Sequence, residues 1–540
     1  MPLFKLDVTI TVKAPFLFAA EANPRYGLDA ASIRNADGVL ILPGSQVKGV
    51  ARHFYQAGDR DALFGKSSAK GSWDPQRGRL VFDDLICETP EPEAVAQMTR
   101  IRIDEGTGAV ETGHMLVIDS PFLPETNVTF KGTAYLDAEE GRQQDITQAV
   151  ERSLKAAHAI GAMKSVGFGR IQKASVKFAE PVQAPLDGTE WQLTCTPDRP
   201  FLVNATRPSE NVIEGSEAIP GAALKAALAA GFKRAGEKDY DALIDSIRIS
   251  HAFPVNTGPR PKTPPLSLVK AEPDGRPEFR DIFTDDVSDL KDPLFFYQAD
   301  FKDGDWEEIP EDFRSDADLR HEYRVHTSIT EGTFTAEEGA LYALKCIVPG
   351  SHKWVAHLSL PGDCKPDDRD RLKKVLGQGL YPVGRTSAML AVTAEEAETV
   401  DLPEGECLAV TLQTPACLHT ADDVQAFKKS KNPGQWLWDV YAKYWETLGC
   451  TLKDFRAAQH WAGGALASRY PLPVQGYHPW LLTSAGSTFL IEPGEGHYLK
   501  EALVRGLPPA IKEDWRTMPF GRRVGYGEIY IRPAKQGGAA

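Results

Sequence analysis

Apolar and polar residues alternate from the start of the chain, with Phe4, Leu6, Val8, Ile10 and Val12 on one side of the alternation. Period 2 is the signature of a strand with one buried face, and this one closes at Ala14-Pro15-Phe16-Leu17. The pattern returns at Trp191, Leu193 and Cys195 running into Pro200-Phe201-Leu202, and at Leu408, Val410 and Leu412 running into Pro415-Ala416-Cys417-Leu418. Three strand openings predict three related units, and a repeat of this kind decides architecture.

Further repeats fill in the units. Leu42-Pro43-Gly44-Ser45-Gln46-Val47-Lys48-Gly49 is echoed by Ile219-Pro220-Gly221-Ala222-Ala223-Leu224-Lys225-Ala226: a strand end, a Pro-Gly turn, then a helix with Lys at the same offset. Arg100 to Leu136 can be laid beside Arg324 to Leu360, each reading as strand, Gly-rich hairpin, strand, Pro turn, strand. Thr147 to Ala162 and Pro366 to Gly377 carry helical apolar spacing with a Gly stop. VGFGRI (166–171) closes the first unit and VGYGEI (524–529) the last, while the second ends less cleanly at Val383-Gly384-Arg385-Thr386-Ser387. The order within each unit is βαββαβ, so the expected class is α+β, a tandem of ferredoxin-like domains over 1–182, 189–395 and 405–536. Pro181 to Gly188 and Thr393 to Glu406 read as linkers. Thr257 to Arg324, Pro-rich and then acidic, reads as an insertion in the second unit, expected to stay loose until a partner binds.

Composition narrows the function. In 540 residues, 61 Lys+Arg against 75 Asp+Glu give a net charge of −14, with 42% hydrophobic and 25% charged residues, a globular balance and not that of a nonspecific polycation. Its mean field repels phosphate, so any nucleic acid must be met through local basic patches. Seven cysteines without a C-x-x-C offer neither a disulfide framework nor a zinc knuckle. MPLFKLDVTITV has no signal-peptide pattern, and no apolar run reaches the roughly 18 residues of a membrane span, so a cytoplasmic protein that meets no membrane is expected.

Four ordered stretches, Gly27 to Arg52 (GLDAASIRNADGVLILPGSQVKGVAR), Leu63-Phe64-Gly65, the hairpin around RIRIDEGTGAVETG and the closing VGFGRI, resemble the RAMP superfamily, the ferredoxin-like subunits of CRISPR-associated effector complexes. They cover most of residues 1–178. Units two and three are similar more loosely, and His460 to Ile491, with Gly463-Gly464 and Ser484-Ala485-Gly486-Ser487, looks like the C-terminal half of larger multi-RAMP subunits. The resemblance implies a tandem-RAMP backbone subunit of a type III effector complex in antiviral defense. Such a subunit holds CRISPR guide RNA, meets complementary target RNA and packs against other RAMP subunits. Base pairing reads the sequence there, and the protein grips backbone and shape.

Ser45, Lys48 and Arg52 fall three and four apart, on one face of a helix that starts near Gly44. Unpaired N–H groups, the positive dipole end and two cations would make a phosphate site; the plainer alternative has Ser45 capping the helix and Lys48 solvated. Around the Gly-rich element, Lys164 and Arg170 supply charge, Gly167 and Gly169 a close backbone approach and Phe168 a stacking face; alternatively this is a tight turn with Phe168 in the core. Arg522 and Arg523 keep that basic character in unit three. The resemblance makes the Arg100/Arg102 hairpin a projection between nucleotides of the bound duplex, an apolar wedge with arginines on phosphates. It also makes Asp29, shortly before the Pro-Gly-Ser turn, the catalytic candidate of an RNA-cleaving endoribonuclease: the carboxylate would deprotonate a 2′-hydroxyl or position a divalent ion such as Mg. Thr206 holds the corresponding place in unit two, so at most one cleavage centre is expected. Two alternatives remain open. One is an inert protein scaffold; the other is a guide-processing endoribonuclease using His53, for which no tyrosine–lysine partner set is identifiable. His352 and His357 read as surface or packing residues, without a third ligand at metal spacing.

Overall fold

The structure, a computed structural model, describes residues 2–19, 27–66, 76–92, 96–139, 141–178, 190–204, 211–271, 278–290, 294–295, 309–327, 339, 341–397, 401–427, 429–463, 480–512 and 518–535. In the first unit the elements are β1 (Leu3–Lys13), α1 (Gly44–Phe54), β2 (Leu85–Cys87), β3 (Ala96–Ile103), β4 (Val110–Ser120), β5 (Asn127–Asp137), α2 (Gln143–Ala156) and β6 (Arg170–Phe178). The sheet runs β6-β1-β5-β2 and continues to Ile41–Leu42, all antiparallel. With β3 and β4 set aside as a separate hairpin, the order is fourth, first, third, second strand, the ferredoxin-like arrangement. The alternation explains it: Leu6, Val8, Ile10 and Val12 turn inward against Val47 and Ala51 of α1 and Ile146, Val150 and Leu154 of α2. The helix expected over Thr147 to Ala162 starts four residues earlier and stops at Ala156, where Ala157 turns extended.

The second unit contains β7 (Glu190–Pro197), α3 (Gly221–Arg234), β8 (Arg248–Ile249), β9 (Arg320–His326), β10 (Tyr342–Val348), β11 (Lys353–Ser359), α4 (Pro366–Gly377) and β12 (Ala388–Glu396). Its sheet order β8-β11-β7-β12 repeats the first topology, and β9 pairs β10 as β3 pairs β4. The expected linker from Thr393 is strand as far as Glu396, because β12 pairs β7 up to the Trp191–Glu396 rung. The third unit contains β13 (Leu408–Leu412), α5 (Pro433–Thr447), β14 (Cys450–Arg456), β15 (Thr488–Pro493), α6 (Leu499–Arg505) and β16 (Ile529–Pro533), in the order β14-β15-β13-β16. The chain is thus α+β, and among the described residues a large hydrophobic core lies under the main antiparallel sheet of each unit.

Units one and two meet through Tyr135 and Tyr381, whose ring centroids are 5.3 Å apart, and through Arg199, 3% exposed, which pairs with Asp198 at 2.9 Å and approaches Asp83 at 3.8 Å. The insertion corrects the expectation of a loose segment awaiting a partner. Its end, from Arg320, is β9 of the second unit, and much of the rest lies on the third unit: Arg260 holds Glu528 through two bonds of 2.6 and 2.8 Å, and the Thr263 amide donates to Gln413. The Leu266 amide donates to the Gly486 carbonyl, Arg532 pairs with Asp281, and Phe283 packs with Ala409 and Leu490. Enough apolar side chains punctuate the acidic sequence to bury it within the chain itself.

Candidate nucleic-acid interface

Residues remote in sequence gather at the root of the β3–β4 hairpin. Asp29 is exposed; its backbone N–H donates to the Val117 carbonyl at 2.8 Å, and its Oδ2 accepts from the Val117 N–H at 2.7 Å. Val117 pairs with Thr99, and the next rung pairs Leu116 with Arg100. The Arg100 guanidinium lies 5.9 Å from the Phe168 ring centroid and contacts the Met163 sulfur. Asp29, Arg100 and the Gly-rich turn therefore share one locale, built on Leu17, Ile118 and Phe168. Phe168 is 4% exposed, so the face expected for stacking is turned into this small core, and the group set over it is Arg100. Lys164 and Gly167 are exposed, Gly169 is buried, and Arg170 is exposed and paired with Glu125 at 2.8 Å.

The hairpin exposes an apolar row, the residues of which the expectation of an apolar wedge leaves unassigned. Ile101, Ile103, Val110 and Met115 are each at least half exposed. The Arg100-Ile101-Arg102-Ile103 alternation was its signal, an apolar row on a strand whose other row is basic. Arg102 points to solvent and pairs with Glu111 at 3.0 Å.

A second group lies on α1. Ser45 is exposed, and Lys48 and Arg52 are half-buried. Arg52 donates to the Gly65 carbonyl at 3.0 Å and to Asp61 at 3.2 Å, and the Lys48 ammonium is lowered from its ordinary range by burial and then by Arg52 and Arg77. The helix start is not a bare phosphate cradle, because the Gly44 N–H donates to Asp84 at 2.8 Å. Pro43 stands at the capping position without a side-chain bond, so Ser45, two residues further on and within the first turn, does not cap.

The repeat of this helix start in unit two is closed. The Gly221 N–H donates to His251 Nδ1, and a Cβ there would lie 2.3 Å from the Ile249 carbonyl oxygen and 2.6 Å from that of Val524, in the Gly-rich turn of unit three. Tyr526 packs edge-on against His251, and burial pushes that imidazole down to about 4, keeping it neutral. Arg522, in the same turn, pairs with Glu501 at 3.3 Å, and Arg523 is exposed. The turn that carries basic residues in the third unit thus also seals a joint. Thr206 lies outside the described residues. His53 is exposed, beside Phe54, while burial pushes His357 down to about 4.

As for a divalent ion, no group of three or more His, Cys, Asp or Glu that could hold a metal occurs among the described residues. Asp29 has one oxygen committed to Val117, so these residues do not form a resident metal cage. No helix among the described residues is long and apolar enough to cross a membrane.

Among known proteins, residues 9–172 match the RAMP superfamily, and residues 306–533 match CRISPR-associated protein (Cas_Cmr3). No curated protein matches the chain. A chain in the cryo-EM structure of the type III-B Cmr-beta complex bound to cognate target RNA is 16% identical, with a TM-score of 0.26; the match covers 33% of this chain and 62% of that one, less than two thirds of the neighbour's length. A chain of a type IV-B CRISPR complex is 17% identical, with 34% and 94% covered and a TM-score of 0.25. The second match spans the joint between units two and three, the pair that the Val524 turn and the insertion bind together. With its ferredoxin-like topology repeated three times and both matches in chain order, this chain belongs to the RAMP superfamily of CRISPR-associated proteins, its C-terminal part Cmr3-like.

Proposed function

We propose that this protein is a subunit of a type III CRISPR effector complex that grips guide RNA, meets target RNA at the β3–β4 hairpin, and packs against other RAMP subunits. The observation that carries this reading is the convergence at the hairpin root: a projecting strand pair with an exposed apolar row, Arg100 at its base and the Asp29 carboxylate anchored beside it. An apolar row inserted between bases unstacks them, and the flanking arginines neutralise phosphates. Lys48 and Arg52 extend the basic surface along α1 for the guide backbone, with Lys164, Arg170 and Arg523 as further cations near the Gly-rich turns.

Cleavage of the target takes place at Asp29. The bond to Val117 fixes one carboxylate oxygen and leaves the other for the RNA. That oxygen accepts the proton of a 2′-hydroxyl as the 2′-oxygen bonds to the adjacent phosphorus; the bond from phosphorus to the 5′-oxygen breaks, and that oxygen takes a proton from water. A base splayed by the hairpin would bring the 2′-hydroxyl into line, so positioning does most of the work and one carboxylate suffices. The test is to purify the tagged protein with its operon neighbours, sequence the RNA that accompanies it, and assay target cutting by wild-type and Asp29→Ala complexes. A discrete RNA population sharing one repeat-derived end, with cutting lost in Asp29→Ala, is expected. RNA-free protein would overturn the RNA-binding reading, and equal cutting by the two complexes would overturn the role of Asp29 alone.

A further inference from the structure

Three cations converge where the first two units meet. Arg77 stands on a short strand, Gln76–Arg77, paired antiparallel with Gly65–Lys66 so that Arg77 lies opposite Gly65. The carbonyl of that same Gly65 accepts from Arg52. On the other side the Arg77 guanidinium donates to the hydroxyl of Ser387, in the closing turn of the second unit. Lys48 completes the group: after burial, Arg52 and Arg77 are the charges that act most on its ammonium.

Positive charge here exceeds what the protein sets against it. Asp61 touches Arg52 at 3.2 Å and is about half exposed. Asp137 lies within the field of Arg77 but is paired with Arg234 at 3.8 Å. No carboxylate among the described residues pairs with Lys48. Like charges crowded into a partly desolvated place repel unless an anion joins them. A phosphodiester fits: it brings one negative charge and acceptor oxygens that a guanidinium can take two at a time.

We propose that this junction is a binding site for a phosphodiester of RNA, formed by Lys48, Arg52 and Arg77 of the first unit, with the exposed Arg77 guanidinium positioned from behind by the buried Ser387 hydroxyl of the second. The joining of the two units therefore sets the site, and Arg77 and Ser387 are its distinguishing members. The inference rests on the RNA-binding reading above and adds a site to it.

The test measures binding of a labelled single-stranded oligoribonucleotide to the full-length chain over a range of salt concentrations, with thermal melting of each variant alongside. Arg77→Gln is expected to weaken binding about tenfold and to lower the slope of log affinity against log salt by about one. Arg77→Lys retains the charge and so restores the slope, though not the full affinity. Ser387→Ala weakens binding a few-fold in the wild-type background and has no effect in the Arg77→Gln background, the non-additivity of a shared contact. If Arg77→Gln binds like wild type while Lys48→Ala is impaired, the junction site is overturned and the RNA-binding reading stands. If the wild-type chain binds no RNA, both fall. Melting curves that coincide with wild type assign a loss of binding to the site and not to a parted junction.

Discussion

The chain has two Pro-Gly helix starts built alike, and the fold treats them in opposite ways. At Gly221 the turn of the third unit closes over the helix, and Lys225, 9% exposed, spends its ammonium on the Ile247 carbonyl at 2.7 Å and the Asp245 carbonyl at 3.4 Å. At Gly44, Asp84 takes the first N–H, but Ser45 is open and Lys48 sits among guanidiniums instead of carbonyls. One motif has become an internal joint and the other a charged surface. A lysine four residues past a Pro-Gly turn is therefore not a ligand-binding signal by itself; what covers the helix start decides its role.

Breaking the sealed copy should have the largest effect. Gly221→Ala forces a methyl onto two backbone carbonyls, and a loss of about 3 kcal/mol is expected, seen as a lower melting temperature and as early proteolysis between units two and three. Lys225→Ala follows, at about 2 kcal/mol, because it strands buried carbonyls; its RNA binding should match wild type. Lys225 variants that lose RNA affinity while melting normally would erase the contrast.

The junction of units one and two should respond to pH. Burial pushes the Asp83 carboxyl up to about 7, with Asp198 and Asp84 adding to the rise and Arg199 opposing it. A carboxyl raised on folding binds protons more tightly in the folded state, so its contribution is full below about 4 and is lost as pH rises through about 7. Melting temperature should fall between pH 5 and pH 8, and Asp83→Asn should flatten that part of the profile. The smallest effect on stability belongs to the open copy: Lys48→Ala should change it by less than about 0.5 kcal/mol while reducing RNA affinity several-fold. A melting shift as large as that of Lys225→Ala would make Lys48 a structural residue.

Much of the architecture was legible because it is periodic. The alternations at Phe4, Trp191 and Leu408 mark the central strand of each sheet, and the Pro-Gly echo marks the helix that follows. What could not be read depends on partners distant in the chain. Asp29 and Val117 are 88 residues apart, and no local pattern announces that bond. The inward turn of Phe168 depends on Leu17 and Ile118, and the sealing of Gly221 depends on Val524. The insertion misled by its acidic average: Leu266, Leu268 and Phe283, too few to form a core of their own, are enough to bury against a neighbouring surface.

That insertion also imposes an order on biosynthesis. The ribosome releases Arg260, Leu266 and Phe283 before it has made Gln413, Leu490 or Glu528, so the segment emerges with its apolar side chains exposed and its receiving surface not yet translated. The second and third units must then mature together once the C-terminal strands have emerged. A chain cut at the apparent boundary near residue 400 would leave those side chains in water and invite aggregation, whereas one cut after the first unit would not. Two of the three units are thus a single object for the cell's quality control, and the first can be completed while the rest is still being made.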